Sequence, residues 1–184
     1  MGHRPAITRS LQGLSLATAL SVALLGCGPE TRRAPGAAAD RQQSEPAISG
    51  NGQLLAVIED RRGRPTVQLR DLRNDQPLPL PRLNGQQPHS SPSLSWNGRY
   101  LAVIVQRGNR RIAVITDRLT GKVHPLRPPG NHNPVRIQLA PDGQRLALQL
   151  AERGRWRVTV LDLSGMLEPD RPGGLRVTTA EERP

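Results

Sequence analysis

The chain has 184 residues, a formal net charge of +11 at pH 7 and one cysteine, and aromatic residues make up 2% of it. A lone cysteine excludes an intramolecular disulfide, and this length allows one modest domain beside any leading segment. The positive charge favours anionic partners such as lipid headgroups, acidic polysaccharide or nucleic acid.

The first segment of the chain is predicted to be a cleavable secretory signal, residues 1–26. Arg4 and Arg9 give a positive leading region without an acidic residue, and residues 11–25 are mainly apolar. This apolar run is shorter than the roughly 20 residues that a membrane-spanning helix needs. Pro29 would also stop a helix soon after it, so a secretory signal is favoured over a transmembrane helix.

The end of the apolar run carries a pattern for lipid attachment. Residues 24–27, Leu-Leu-Gly-Cys, resemble the lipobox of bacterial lipoproteins, in which a small residue precedes a cysteine that receives a diacylglyceryl group before cleavage. The resemblance implies cleavage after Gly26 and lipidation of Cys27, which would anchor the protein stably because several acyl chains are attached. Leu25 is larger than the residue usual at that position, and an ordinary secretory signal with an incidental cysteine is the alternative. Gly28 allows an outer-membrane destination in a Gram-negative cell.

A flexible tether is predicted at residues 27–43, which contain no aliphatic side chain larger than alanine and cannot form a core. Residues 44–184 are the predicted folded domain. Removal of the leading segment lowers the formal charge only from +11 to about +9, so the mature chain remains basic.

The folded domain contains an internal repeat, which three landmarks place at a spacing of 45 to 46 residues. The landmarks are the glycine of an Asn-Gly or Asp-Gly pair (Gly52, Gly98, Gly143), an aspartate (Asp71, Asp117, Asp162) and a turn glycine (Gly63, Gly108, Gly154). Independent landmarks that share one period indicate stacked supersecondary units. The predicted units are residues 44–88, 89–133 and 134–180.

Each unit is predicted to be β structure. Asn-Gly or Asp-Gly before an apolar run is a strong hairpin signal, and a second apolar run follows each turn glycine. The predicted strands are 54–58, 100–105 and 146–150, then 66–72, 111–116 and 157–163, and a short last strand at 78–80, 123–126 and 175–178. Proline-rich connectors at 77–92 and 125–134 separate the units. Four short strands in about 45 residues match the size of a β-propeller blade.

The third unit carries a family resemblance. Residues 139–148, Leu-Ala-Pro-Asp-Gly-Gln-Arg-Leu-Ala-Leu, with residues 160–165, resemble the TolB-type β-propeller repeat, an Asp-Gly turn before an apolar strand and then a strand that ends in Asp. The first two units replace Pro-Asp by Gly50-Asn51 and Trp96-Asn97. The resemblance covers residues 44–165 and implies an all-β propeller fold with a binding role. TolB itself has a further domain and more blades, so a role in the Tol system does not follow.

Three blades leave a structural problem, because propellers usually close with four to eight and each end sheet would lack a neighbour. We therefore expect either that two chains combine into a six-bladed ring or that the end faces are capped, with the tail from Met166 as a candidate cap. A curved open stack is the alternative.

Catalytic patterns are missing from the sequence, which has no nucleophile elbow, no His-Glu-x-x-His, no paired cysteines and no phosphate-binding lysine loop. We predict neither catalysis nor a cofactor or metal, and we interpret His89, His124 and His132 as loop residues without metal-ligand spacing. The repeated aspartates would suit a cation in a central channel. An Asp at a strand end more often accepts backbone hydrogen bonds from the next turn, which is the favoured interpretation.

The aromatic residues are Trp96, Tyr100 and Trp156, for which core filling is the default interpretation. Trp96 stands in a turn and is also a candidate exposed anchor for a partner. Further candidate contacts lie in the arginine-rich hairpin turns, for which solvated turns are the simpler interpretation: Arg110, Arg111 and Arg155.

Two functions remain after these exclusions. The favoured one is a membrane-anchored, non-catalytic module of the bacterial envelope that binds an envelope protein, with a homodimer as a further expectation. The alternative is a binder of anionic envelope polymer or lipid through the arginine-rich turns. A periplasmic location argues against nucleic acid as the partner.

Overall fold

The computed structural model describes residues 41–84, 87–128, 130 and 132–171, which form three antiparallel sheets. The first sheet contains β1 (Gln43–Ile48), β2 (Leu54–Asp60), β3 (Pro65–Asp71) and β4 (Gln76–Leu78). The second contains β5 (His89–Leu94), β6 (Tyr100–Arg107), β7 (Arg110–Asp117) and β8 (Val123–Leu126). The third contains β9 (Asn133–Leu139), β10 (Arg145–Glu152) and β11 (Arg155–Asp162). Strands pair with their neighbours in sequence, and one 3-10 turn, Pro81–Leu83, lies between the first two sheets.

The predicted all-β repeat is confirmed, because each sheet corresponds to one unit of the sequence period. One short strand differs from its prediction: β4 ends at Leu78, where 78–80 was expected. Its pairing runs from Gln76 opposite Asp71 to Leu78 opposite Leu69, and Pro79 has no N–H with which to continue the ladder. The predicted strand at 175–178 lies outside the described residues.

The second sheet lies in the middle and is buried on both faces. Its residues Tyr100, Ala102, Ile104, Ala113 and Ile115 pack against Ile137, Leu139, Leu146, Leu148 and Leu150 of the third sheet. Its residues Leu101, Val103, Val105 and Val114 pack against Leu54, Ala56, Ile58, Val67 and Leu69 of the first. Alternate side chains of one strand point to opposite faces, which is why β6 and β7 are almost continuously apolar.

The sheets are joined at one end by their first turns, which connect the first and second strand of each sheet. The N–H of Asn51 donates to the carbonyl of Trp96 (2.9 Å), and the N–H of Trp96 donates to the carbonyl of Pro141 (2.6 Å). We call this end the first-turn end. Because the strands are antiparallel, the turns β2–β3, β6–β7 and β10–β11 all lie at the opposite end, which we call the arginine end.

Candidate functional site

The arginine end concentrates positive charge. Its three turns and the residues beside them carry nine arginines against three acidic residues: Arg61, Arg62, Arg64, Arg107, Arg110, Arg111, Arg153, Arg155 and Arg157, with Glu59, Asp60 and Glu152. The sequence-based candidates Arg110, Arg111 and Arg155 are all exposed here, in the second and third sheets. The Arg111 guanidinium donates to the side chain of Gln106 (3.3 Å). The fold therefore gathers arginines that are far apart in sequence at one end of the molecule.

The last strand of the third sheet carries an exposed apolar row. Trp156, Val158 and Val160 are 67%, 68% and 58% exposed. They alternate along β11 and so point to one face of the sheet, away from the second sheet. Among the described residues β11 pairs only with β10, so its other edge has no strand beside it. We call these three side chains the outer row.

The repeat explains why the outer row is exposed. Val158 and Val160 precede Asp162 by the same spacing at which Ala113 and Ile115 precede Asp117. In the second sheet both of those side chains are completely buried against the third sheet. No described sheet follows the third one, so the equivalent side chains meet solvent. Trp156 lies on the same face of β11 as these two valines, so the interpretation that it fills the core is wrong. It is confirmed for Tyr100, which is 0% exposed.

The end face of the first sheet carries polar side chains beside apolar ones such as Val57. Glu59 and Gln68 occupy the repeat positions of Val105 and Val114, which in the second sheet belong to the apolar core. Glu59 is buried and accepts a hydrogen bond from the Arg41 guanidinium (2.8 Å). Polar outer faces are typical of terminal repeats. Ring closure by two chains would place this face against the outer row of a second copy. The closed ring stays a prediction, and the polar side chains of this face argue against it.

Trp96 lies at the first-turn end, between the first and second sheets. Its indole rests on Gly50, where a Cβ atom would come within 2.6 Å of the ring carbon Cε3. The side chain is half-buried by this contact. Its role as an anchor for a partner remains a prediction.

The segment after β11, residues 163–171, crosses the first-turn end and locks the second sheet to the third; we call it the tail. The buried carboxylate of Asp170 accepts hydrogen bonds from Ser95 Oγ (2.5 Å), the N–H of Asn97 (2.8 Å) and Asn97 Nδ2 (2.9 Å). Leu167 joins the core, and the Tyr100 hydroxyl donates to the carbonyl of Glu168 (2.9 Å). Within the described residues the tail caps this junction and leaves the outer row exposed.

The repeated aspartates act as turn acceptors, as the favoured interpretation predicted. In each sheet the carboxylate accepts the backbone N–H two residues later, at 2.9 Å: Arg73 to Asp71, Leu119 to Asp117 and Ser164 to Asp162. These bonds close the turn that follows the third strand. Among the residues that the structure describes, no three His, Cys, Asp or Glu side chains are grouped closely enough to hold a metal ion.

Arginines strengthen two of these turns. The Arg73 side chain lowers the pKa of Asp71 to about 2. Burial disfavours the ionised form of Asp117, but hydrogen bonds, first among them those from Arg99, outweigh it and lower the pKa of that carboxyl. Arg99 binds Asp117 through two nitrogens, at 3.1 and 3.2 Å, and stacks over the Tyr100 ring at 5.0 Å. These ion pairs hold turns together and present no free reactive group.

His89 departs from its interpretation as a loop residue. It begins β5 and is 3% exposed, and its Nδ1 accepts the N–H of Val67 from the first sheet (3.1 Å). Burial lowers the pKa of this imidazole from its ordinary value of 6.5. A ring that accepts at Nδ1 is neutral, so protonation would remove a bond between two sheets.

We expect the protein to become less stable as the pH falls below about 6.5, because the unfolded chain then binds a proton that the folded chain resists. Urea unfolding at several pH values would measure this effect. In a His89→Gln variant the loss between neutral pH and pH 5 should shrink, whereas His124→Gln should leave it unchanged. Protonation of the carboxyl groups with lowered pKa values also destabilises the protein, but only below about pH 4, which is a separate pH range. An identical loss in His89→Gln would show that another group is responsible.

Comparison with solved structures identifies the architecture. TolB from Acinetobacter baumannii matches with a TM-score of 0.53 and 20% identity, over 71% of this chain and 33% of that chain. A putative TolB from Agrobacterium tumefaciens matches with 0.56 and 14% identity, over 67% and 47% of the two chains. The β-propeller domain of the Trilobed protease from Pyrococcus furiosus matches with 0.52 and 14% identity, over 71% and 41%. The fold is part of a β-propeller.

Each sheet is thus one propeller blade, and the resemblance to TolB-type repeats is confirmed for the fold. The chain spans from one third to about one half of the length of those three proteins. No protein-family model and no curated protein matches the sequence.

The predicted signal, the lipidation site Cys27 and most of the tether lie outside the described residues and stay predictions. In the part of the chain that is described, no helix is long and apolar enough to cross a membrane.

Proposed function

We propose that this chain is a lipid-anchored β-propeller fragment of the bacterial cell envelope that binds another envelope protein and catalyses no reaction. The observation that carries the proposal is the outer row, because three large apolar side chains are exposed side by side on one strand. The lipobox at residues 24–27 supports an anchor at Cys27, and the part of the predicted tether that precedes Arg41 would link this anchor to the folded domain.

The edge of β11 favours a partner that contributes an extended strand. An edge strand offers backbone N–H and C=O groups to a second chain, and its alternating side chains provide specificity. Arg155 is exposed next to the outer row on the same strand. The partner segment we expect is therefore extended, with apolar side chains for the outer row and a carboxylate near Arg155.

Crosslinking at the outer row tests this function in cells. A photoreactive benzoylphenylalanine at Val158 should form an adduct with an extended segment of another envelope protein, and the same probe at the exposed turn residue Leu119 should not. With both proteins purified, Val160→Asp should weaken binding at least about tenfold, because it places a charge in the apolar contact. A Cys27→Ser variant should leave the membrane fraction while its purified domain keeps this binding.

Three results would contradict the proposal. An adduct with residues 172–184 would show that the chain completes its own third blade. An adduct with a second copy would favour the six-bladed dimer. Equal capture of the same proteins from Val158 and Leu119 would show that the outer row is not a specific surface.

A further inference from the structure

The first blade contains a cleft at the arginine end, with a volume of about 860 Å³. It exists because β4 is short. That strand covers β3 only from Leu69 to Asp71, whereas in the second blade β8 reaches Ala113, the repeat position of Val67. The part of β3 next to its turn, Pro65–Gln68, is therefore left without an outer strand.

Four arginines line the cleft, with one acidic residue, Asp60. Arg41 is paired with the buried Glu59, and Arg61 donates to Gln68 (2.7 Å). The Asp60 carboxylate already accepts the N–H of Gly63 (2.7 Å). The side chains of the other two arginines, Arg62 and Arg64, make no hydrogen bond or ion pair within the described residues. Two guanidinium groups are thus available to an anion.

One wall of the cleft is apolar and consists of Pro77, Leu78, Pro79 and Leu80. A small hydrated anion would gain nothing from this wall. An anion that is joined to an apolar group would use both sides, because guanidinium groups bind phosphate through two parallel hydrogen bonds and the wall shields the apolar part from water. The lining therefore suits an amphipathic phosphate.

We propose that the cleft binds the phosphodiester headgroup of an anionic phospholipid, with the glycerol and upper acyl carbons against the proline and leucine wall. The location agrees with this ligand, because Arg41 of the cleft follows Cys27 by 14 residues. A chain of that length reaches at most about 50 Å, so an anchored protein could bring the cleft to its own membrane. Only this access to the membrane rests on the proposed function; the binding of lipid to the cleft does not.

Calorimetric titration of the full chain in non-ionic detergent tests the site. The titrants are short-chain phosphatidylglycerol, short-chain phosphatidylcholine and inorganic phosphate, each supplied as monomers. We expect saturable binding of phosphatidylglycerol alone, weakened by salt because the attraction is electrostatic. The double variant Arg62→Gln with Arg64→Gln should weaken it at least about tenfold.

A matched control comes from the third blade. Arg153 and Arg155 occupy the same positions around Gly154 as Arg62 and Arg64 around Gly63, and neither of them lines the cleft of the first blade. Converting both to Gln removes the same charge from the same kind of turn, and it should change affinity by less than about twofold. Unfolding midpoints would verify that both double variants fold. If the double variant of Arg62 and Arg64 does not fold, the single variant Arg64→Gln repeats the test.

Several outcomes would overturn the proposal. Equal losses in the two double variants would reveal a general charge effect. Inorganic phosphate that binds as tightly as phosphatidylglycerol would show a free-anion site, and equal binding of phosphatidylcholine would show that the headgroup charge is not recognised. Because the lipid is added in solution, a missing anchor or a missing protein partner would leave this titration unchanged.

Discussion

Replacement of Gly143 by alanine is expected to lower the free energy of unfolding by about 3 kcal/mol, the sum of a backbone cost and a steric cost. Gly143 has a φ of +76°, where an L-residue other than glycine costs about 1–2 kcal/mol. An added Cβ would also come within 2.7 Å of the Tyr100 ring, which is completely buried and cannot move aside. Overpacking of this kind costs a further 1–3 kcal/mol, roughly.

Gly52 provides the matched control for this variant. It occupies the same position in the first blade, with a φ of +70°, but no atom would lie within 4 Å of an added methyl group, because no described blade precedes it. Gly52→Ala should therefore lose only the backbone cost, about 1 kcal/mol. Urea unfolding of both variants, with unchanged denaturant dependence, would measure the difference. Equal losses would contradict a contact between Gly143 and Tyr100 across the blades.

The second large effect is expected for Asp170→Ala, which should cost about 2–4 kcal/mol of unfolding free energy. The substitution leaves the buried Ser95 hydroxyl and two N–H groups of the exposed residue Asn97 without their acceptor. A buried donor that loses its partner costs about 1–3 kcal/mol, and neighbouring losses do not add fully.

Glu168→Ala is the control for the tail. Its side chain is 78% exposed and pairs with Arg99 at 2.8 Å, so its removal should cost at most about 1 kcal/mol. The same urea series compares the two variants. If both lose equally little, Asp170 does not lock the tail to the second blade.

The repeated landmarks were sufficient to predict the blades. A glycine, an aspartate and a turn glycine recur with one period. Each of them stabilises a turn, and the conformation of a turn depends only on the few residues that form it. The exposure of Trp156 was not predictable in this way. Trp156 stands on an apolar strand like those of the second blade, and only the absence of a described sheet beside it leaves it in solvent.

The cleft of the first blade and the tail lock were also beyond sequence reasoning. The cleft depends on where Pro79 ends a three-residue strand, a difference of two residues from the predicted one. The lock joins Asp170 to Ser95 across 75 positions. Ser95 belongs to the repeated turn, but nothing in the sequence around Asp170 marks it as the partner of that turn. Long-range contacts between side chains leave no periodic signal in the sequence.

By itself, then, the sequence determined the all-β repeat, the turns that close each blade and the lipobox that predicts an anchor, because all of these depend on neighbouring residues. The tertiary structure alone decided which face of each blade is covered. Val158 and Val160 of the last blade are exposed, whereas Ala113 and Ile115 at the same repeat positions of the middle blade are buried. The difference arises because burial depends on the presence of a neighbouring sheet and not on the strand that carries the side chain. The outer row arises where a neighbouring sheet is missing, and the cleft of the first blade arises where β4 is too short to cover β3.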